Sequence, residues 1–263
     1  NKKNRNLLIM TLKVNLNQKV ALITGASSGI GRGVAIAFAQ SGCHVYINYP
    51  PGEGDQNALS VQSEIHQNGG LASLAPADVS SESQVNSMFA ELLASAGRLD
   101  ILINNAGIAR SAPIEEISVA DWDAVMGVHI NGTFLCTRAA LPIMYQQNYG
   151  RIINTASQLA YKGAPGFAHY TAAKGAILSF TRTLALEIGS RDIAANCVAP
   201  GATATPILND VPADILDEIR SAIPRGKLAE VDDIVGTYMF LASDSAGHFR
   251  GQCLSPNGGD VFL

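Results

Sequence analysis

The sequence is poor in charge, in cysteine and in long apolar runs. Only 15% of its 263 residues are charged against 47% hydrophobic, which excludes a disordered chain and describes a folded globular one. The formal net charge is −4 and no Lys/Arg stripe is present, so the sequence has no footprint for a nucleic-acid partner. Its one basic run is Lys2-Lys3-Asn4-Arg5. No stretch approaches the roughly 20 apolar residues of a membrane span, and Leu7-Leu8-Ile9-Met10 is too short for a secretory signal. Residues 1–16 read as an N-terminal extension in which Met10 is a natural start, the earlier residues being an addition from cloning or gene assignment. The four cysteines, Cys43, Cys136, Cys197 and Cys253, form no CxxC pair and read as buried thiols of a reducing compartment. Five scattered histidines lack metal-ligand spacing, so no metal is expected. A cytoplasmic location is the expectation.

What is present is alternation. Short apolar runs at Lys19–Thr24, His44–Tyr49, Leu71–Ala75, Asp100–Asn104, Arg151–Asn154, Ala194–Val198 and Gln252–Ser255 read as strands. Between them lie helical patterns at Ile30–Gln40, Asn57–Asn68, Ser81–Ala96, about 118–145, about 169–188 and Val231–Ala242. Ser81 and Gln84 are spaced as a capping box, and Ser118 with Asp121 caps the fourth helix. Seven strands alternating with helices imply an α/β fold with a doubly wound, seven-stranded parallel sheet. With no linker or repeat, residues 17–263 are expected to form one domain. The weakly patterned, Pro- and Asp-rich segment 205–225 is expected to be a mobile substrate lobe.

Between the first strand and first helix lies Thr24-Gly25-Ala26-Ser27-Ser28-Gly29-Ile30-Gly31. Glycines there let backbone N–H groups approach a pyrophosphate at a helix N-terminus, where the helix dipole favours negative charge. The spacing is GxxxGxG, which on its own also fits a plain tight turn. Further motifs follow in order: Asp78-Val79, Asn104-Asn105-Ala106-Gly107, Ser157 with Tyr170-x-x-x-Lys174, Pro200-Gly201, and Gly251-Gln252 through Gly258-Gly259. Together, over about residues 17–260, these resemble the classical short-chain dehydrogenases/reductases, near the 3-oxoacyl-carrier-protein reductases.

The resemblance implies a single-domain Rossmann fold and hydride transfer between a nicotinamide and a ketone/secondary alcohol pair. Tyr170 and Lys174, four apart, share one helical face. A cation near a phenol favours its phenolate, so Lys174 is expected to lower the pKa of Tyr170, the general acid/base. Ser157 would hold the substrate oxygen. For the cofactor, the resemblance implies Gly25, Ser27, Ser28, Gly29, Ile30 and Gly31 on the phosphates, Asp78 and Val79 on the adenine, and Asn105, Ala106 and Gly107 on the ribose side. Lys174 and Tyr170 would contact the nicotinamide ribose, and Pro200, Gly201, Thr203 and Thr205 the nicotinamide. Gln158, Leu159 and Phe167, with Tyr161 and Gly163, would wall the substrate pocket. A homotetramer built on the helices at 118–145 and 169–188 is also implied, with a small carbonyl or alcohol as substrate and neither nucleic acid nor membrane as partner.

An acidic residue ending the second strand would indicate NAD. That position is Tyr49, and the basic markers of NADP relatives are also missing. Hydroxyls of Ser28 and Tyr49, with Arg32 nearby, are candidate partners for a 2′-phosphate, which Glu53 and Asp55 oppose. The reading leans to NADP, with NAD possible. Oxidation of a sugar or polyol is the rival activity, and a non-catalytic cofactor sensor the rival of another class. Arg220 and Arg225 are the candidates for gripping a substrate carboxylate.

The run Val128-His129-Ile130-Asn131-Gly132-Thr133-Phe134 places two polar residues inside an apolar helix. Laying Gly132 and Phe134 on the family pattern puts His129, not Asn131, in the fourth catalytic position, normally an asparagine at a helix distortion that acts through its main-chain carbonyl. Either a backbone role for His129 or a buried neutral histidine satisfied by the backbone fits the sequence.

Overall fold

The computed structural model describes residues 14–52, 54–209 and 211–262. Residues 1–13 of the expected extension, with Met10 and the basic run, and Glu53 lie outside the described residues. Seven strands, β1 (Val20–Ile23), β2 (His44–Tyr49), β3 (Leu71–Pro76), β4 (Ile101–Asn104), β5 (Gly150–Thr155), β6 (Ile193–Val198) and β7 (Cys253–Leu254), form one parallel sheet in the order β3-β2-β1-β4-β5-β6-β7. The order reverses between β1 and β4, and the crevice beyond their carboxyl ends is where such sheets bind ligands. The expected α/β architecture is the observed one.

Helices cover both faces. On one side α1 (Gly29–Gln40), α2 (Asp55–Gln67) and α9 (Val231–Ala242) pack over Ala21 and Ile23. On the other, α3 (Glu82–Ala96), α5 (Gly132–Gln147) and α7 (Ala168–Ile188) cover Val20 and Leu22. The alternation along β1 is the two-residue period of a strand buried on both faces.

Three local expectations are corrected. The helix expected over 118–145 is two helices, α4 (Val119–Met126) and α5, joined by a π-helical turn at Gly127–Asn131. Ser118 caps α4 as expected, its hydroxyl accepting from Asp121 N at 3.0 Å. Ser81 caps α3 with no side-chain bond, because Gln84 turns away to accept from Asp78 N at 2.9 Å; a reciprocal capping box forms instead at Glu230 and Asp233 of α9. The segment around 205–225 is not unpatterned: it holds a 3-10 turn at Pro206–Leu208 and the helix α8 (Ala213–Ala222), which buries none of its residues. Among the described residues, no helix is long and apolar enough to cross a membrane.

Candidate active site

The glycine turn is stitched to the end of β4. Thr24 Oγ1 accepts from Asn105 N and Ala106 N, both at 2.9 Å, and Asn105 Nδ2 donates to Thr24 O at 3.0 Å and Gly25 O at 3.3 Å. A Cβ on Gly31 would lie 2.3 Å from Gly25 O, so only glycine lets α1 start this close to the turn. Buried Asn48 in β2 ties in the neighbouring loop: its Oδ1 accepts from Gly25 N at 3.3 Å and its Nδ2 donates to Ala77 O at 3.0 Å. Asp78 follows, its carboxylate held by Ser80 N at 2.9 Å and Ser80 Oγ at 2.7 Å, and Val79 packs against Gly132.

Ser28 caps α1 without a side-chain bond and is exposed, with Ser27 and Ile30 half-buried beside it, so the first-turn N–H groups have no side-chain cap. Thr205 and Pro206 close over this end, within 3.9 Å of where a Gly29 Cβ would sit. Thr203 Oγ1 donates to Gly201 O at 2.9 Å, Thr205 Oγ1 donates to Thr203 O at 3.3 Å, and Pro200 O accepts from Gln158 N at 3.1 Å. The turn, the β4 end and the 200–205 loop thus meet at one rim.

Across the rim stand the residues expected to carry the chemistry. Ser157 follows β5 just ahead of the short helix α6 (Leu159–Lys162), buried, its hydroxyl accepting from Leu159 N at 3.1 Å. Tyr170 and Lys174 sit on α7, with Lys174 Nζ 5.6 Å from the centre of the phenol ring and donating to Thr155 O at 2.6 Å. Phe167 stands edge-on to Tyr170 at 6.2 Å. Burial raises the Tyr170 phenol, and the Ser157 hydroxyl pulls it down. Lys174 is itself lowered to about 7 by burial, so near neutrality it is only partly cationic.

His129 lies inside the π turn, 1% exposed, its ring edge-on to Tyr170 at 5.3 Å. Its Nε2 lies between the Ile108 main-chain groups, 2.7 Å from Ile108 O and 3.1 Å from Ile108 N, and Nδ1 is buried with no partner. A Cβ on Gly107 would lie 2.4 Å from Cε1 of this ring. Burial and then the charge of Lys174 lower His129 to about 3, so it is neutral. Its main-chain carbonyl accepts from Thr133 Oγ1 at 2.6 Å. Asn131 is exposed, outside the site.

Several elements escaped sequence reading. Gln158 is buried, its Nε2 donating to Asp260 Oδ2 at 2.6 Å, and Lys162 Nζ donates to both oxygens of Asp260 at 2.7 Å. Beneath the site a buried polar chain crosses the sheet: Asn154 Nδ2 donates to Thr181 Oγ1 at 2.8 Å, and Asn104 Nδ2 donates to Asn154 Oδ1 at 2.8 Å and Thr137 Oγ1 at 3.1 Å. Arg32 is ion-paired with Glu64, so its charge is balanced within the protein. Tyr49 is buried at the end of β2, with its phenol raised by burial and Asp55. Arg220 pairs with Asp217 at 2.6 Å and Arg225 lies 3.9 Å from Asp233. Among the described residues, no cluster of three His, Cys, Asp or Glu residues is arranged to hold a metal.

A family model described as Enoyl-(Acyl carrier protein) reductase matches residues 25–260. The chain belongs to the short-chain dehydrogenase/reductase family. It is 39% identical over 249 residues, 94% of its length and 98% of the relative's, to the (2S)-[(R)-hydroxy(phenyl)methyl]succinyl-CoA dehydrogenase subunit BbsD of Thauera aromatica. It is 38% identical over 249 residues to the 3-oxoacyl-[acyl-carrier-protein] reductase of Synechocystis sp., covering 94% of this chain and 99% of that one. Among solved structures, a gluconate 5-dehydrogenase from Burkholderia cenocepacia in complex with NADP and tartrate matches with TM-score 0.88 at 33% identity, over 94% of this chain and 96% of that one. A dehydrogenase/reductase from Sinorhizobium meliloti matches with TM-score 0.88 at 36% identity, over 95% and 97%. As a short-chain dehydrogenase/reductase, the chain is an NAD(P)-dependent oxidoreductase acting on a carbonyl/alcohol pair.

Proposed function

We propose that Ser157, Tyr170 and Lys174 carry reduction of a ketone, and the reverse oxidation of a secondary alcohol, with NADP as the preferred nicotinamide. The observation that carries this reading is the meeting of a half-buried phenol, a serine hydroxyl that favours its phenolate, and a buried lysine 5.6 Å from its ring, beside the glycine turn. Ser157 holds the substrate oxygen, and Tyr170 donates a proton to it during reduction and removes it during oxidation. Lys174 orients and supports Tyr170 when protonated. A nicotinamide bound here supplies the hydride.

The residues present fit such a dinucleotide. The Gly25–Gly31 turn is a cradle that a Cβ would fill, at the N-terminus of a helix with no side-chain cap. Asp78, Val79, Asn105, Ala106 and Gly107 would flank the adenine and ribose side, and Pro200, Gly201, Thr203 and Thr205 the nicotinamide. Of the hydroxyls considered for a 2′-phosphate, Ser28 is the exposed one, whereas Tyr49 is buried and Arg32 is engaged by Glu64. The absence of a carboxylate at Tyr49 and the NADP held by the Burkholderia cenocepacia neighbour support NADP over NAD.

His129 is proposed to act through position, as a neutral ring that fixes the π turn and the Ile108 loop beside Tyr170. Leu159, Phe167 and Gln158 wall a moderately apolar pocket, which favours a ketone over a carboxylate-bearing substrate because Arg220 and Arg225 are already near acids. A sugar or polyol is the second reading, favoured by one observation: Gln158 is fixed by Asp260 through its Nε2, and its buried Oε1 has no partner, an acceptor suited to a hydroxyl. The residues placed in the N-terminal extension aside, we assign the site to one domain spanning 17–263, in the cytoplasm, where four free thiols are stable.

Tyr170→Phe is expected to cut kcat by at least about a hundredfold while leaving the NADPH Kd nearly unchanged. Full turnover in that variant would overturn the mechanism. An initial-rate panel of apolar ketones, secondary alcohols, sugars and polyols with each nicotinamide separates the substrate readings.

A further inference from the structure

Cys197 and Cys253 are direct partners in the β6–β7 register. Register partners in a parallel pair leave the sheet on the same face, about 4.8 Å apart along the hydrogen-bonding direction. That separation falls within the roughly 4.4–6.8 Å Cα spacing that a disulfide spans. Both side chains sit against the same cluster of Ala156, Ile177 and Leu178. Their surroundings differ in a way that divides the chemistry. Cys197 is 1% exposed, and its Sγ donates to Thr181 Oγ1 at 3.1 Å. Cys253 is only half-buried, on the edge strand, where the Tyr161 hydroxyl and the Arg182 guanidinium also face it. The neighbouring Cys197, then Tyr161 and Arg182, hold the Cys253 thiol below its ordinary range, whereas the neighbouring Cys253 and burial push Cys197 well up. A more exposed thiol of lowered pKa beside a buried thiol is the arrangement of a reacting and a resolving cysteine.

We propose that Cys253 and Cys197 form a dithiol/disulfide pair that responds to hydroperoxides, with Cys253 the reacting thiolate and Cys197 the resolving thiol. The Cys253 thiolate attacks the terminal peroxide oxygen; the S–O bond forms, the O–O bond breaks, and hydroxide leaves when the oxidant is hydrogen peroxide. Cys197 sulfur then attacks the sulfenic sulfur; the S–S bond forms, the S–O bond breaks, and the hydroxyl departs as water with the Cys197 proton. Two electrons pass from the dithiol to the peroxide, and a thiol reductant restores the starting pair. Oxidation removes the proton that Cys197 donates to Thr181, the α7 residue that also receives Asn154 of the buried polar chain. The resting state in a reducing compartment is the dithiol.

The test is made on the full chain, reduced and then exposed to hydrogen peroxide, quenched by alkylation and mapped by peptide mass spectrometry. The expected product is a linked Cys197–Cys253 peptide pair short of two hydrogens, reversed by dithiothreitol, with Cys43 and Cys136 still alkylated after denaturation. Before oxidation, native Cys253 is expected to alkylate at least about a hundredfold faster than Cys136, whose buried thiol is raised to about 12. In Cys197→Ser, Cys253 is expected to stop at the sulfenic acid and be captured by dimedone. In Cys253→Ser, Cys197 is expected to stay reduced. Oxidation of Cys197 in that variant, a disulfide joining two copies of the chain, or a Cys253 no faster than Cys136 would each overturn the proposal. The readout is on the thiols themselves, so it stands or falls apart from the proposed reaction.

Discussion

Tyr170, Lys174 and His129 share one small volume, and burial moves their titrations in ways that have separate consequences for rate and for stability. Lys174, lowered to about 7, is protonated below that pH and neutral above it. In the proposed mechanism the cation supports Tyr170 in protonating the ketone, so kcat/KM for reduction is expected to fall as pH rises through about 7, read from a pH–rate profile. For His129 the folded value of about 3 lies below the ordinary 6.5. Above pH 6.5 both folded and unfolded chains hold it neutral, and its contribution is constant. As pH falls from 6.5 toward 3, only the unfolded chain takes the proton, and stability is lost at about 1 kcal/mol per pH unit. His129→Asn is expected to remove that slope in urea titrations compared above and below pH 6.5. Retained activity in this variant supports the main-chain and packing role, and a collapse would assign the role to the imidazole. Ser157, Tyr170 and Lys174 were named from the order of motifs that carries the family resemblance, but nothing in that order gives their proton affinities. Spacing places Lys174 beside Tyr170 without showing that both are withdrawn from water.

At the scale of elements, the π turn at Gly127–Asn131 swings His129 onto Ile108 while α4 and α5 continue on either side. Its helices depend on ordinary local chemistry, and Ser118→Ala is expected to cost about 1 kcal/mol in chemical denaturation through loss of the α4 cap. Gly107→Ala places a Cβ 2.4 Å from the His129 ring. It is expected to destabilise by about 1–3 kcal/mol and to lower kcat, measured together on one preparation. Strands were easy to read because a strand buried on both faces is a short unbroken apolar run bounded by glycine. The break between α4 and α5 was not, since both flanking patterns keep helical spacing and only the family resemblance implied a distortion. The α8 helix carries an apolar stripe of Ile215, Leu216 and Ile219, but it is short and set among prolines and acidic residues, so the segment read as unpatterned. Ser81 and Gln84 carry the right spacing for a capping box, yet Gln84 finds Asp78 N, a partner that depends on the path of the preceding loop.

For the whole molecule, apolar side chains remain uncovered on the two helices expected at the subunit contacts: Phe134 and Tyr145 on α5 are 43% and 38% exposed, and Leu186 on α7 is 83% exposed. The tetramer that the family resemblance implies predicts that Leu186→Glu lowers the mass measured by light scattering, and an unchanged mass would remove this face from the assembly. The buried polar chain from Thr181 to Asn154, Asn104 and Thr137 was invisible in the sequence, because its links join residues 27, 50 and 33 positions apart. Nothing local marks such asparagines as partners. The placement of β7 has a temporal consequence. Gln252 N reaches back 56 positions to Asn196 Oδ1 at 2.9 Å, and Asp260, which fixes Gln158 and Lys162, comes later still in the chain. During N-to-C synthesis, β1 through β6 can associate on a ribosome-tethered chain while that clasp has yet to be translated. A nascent chain therefore has its glycine turn and Tyr170 before it has a finished pocket wall, and the β6 and β7 cysteines meet only once synthesis has passed residue 253.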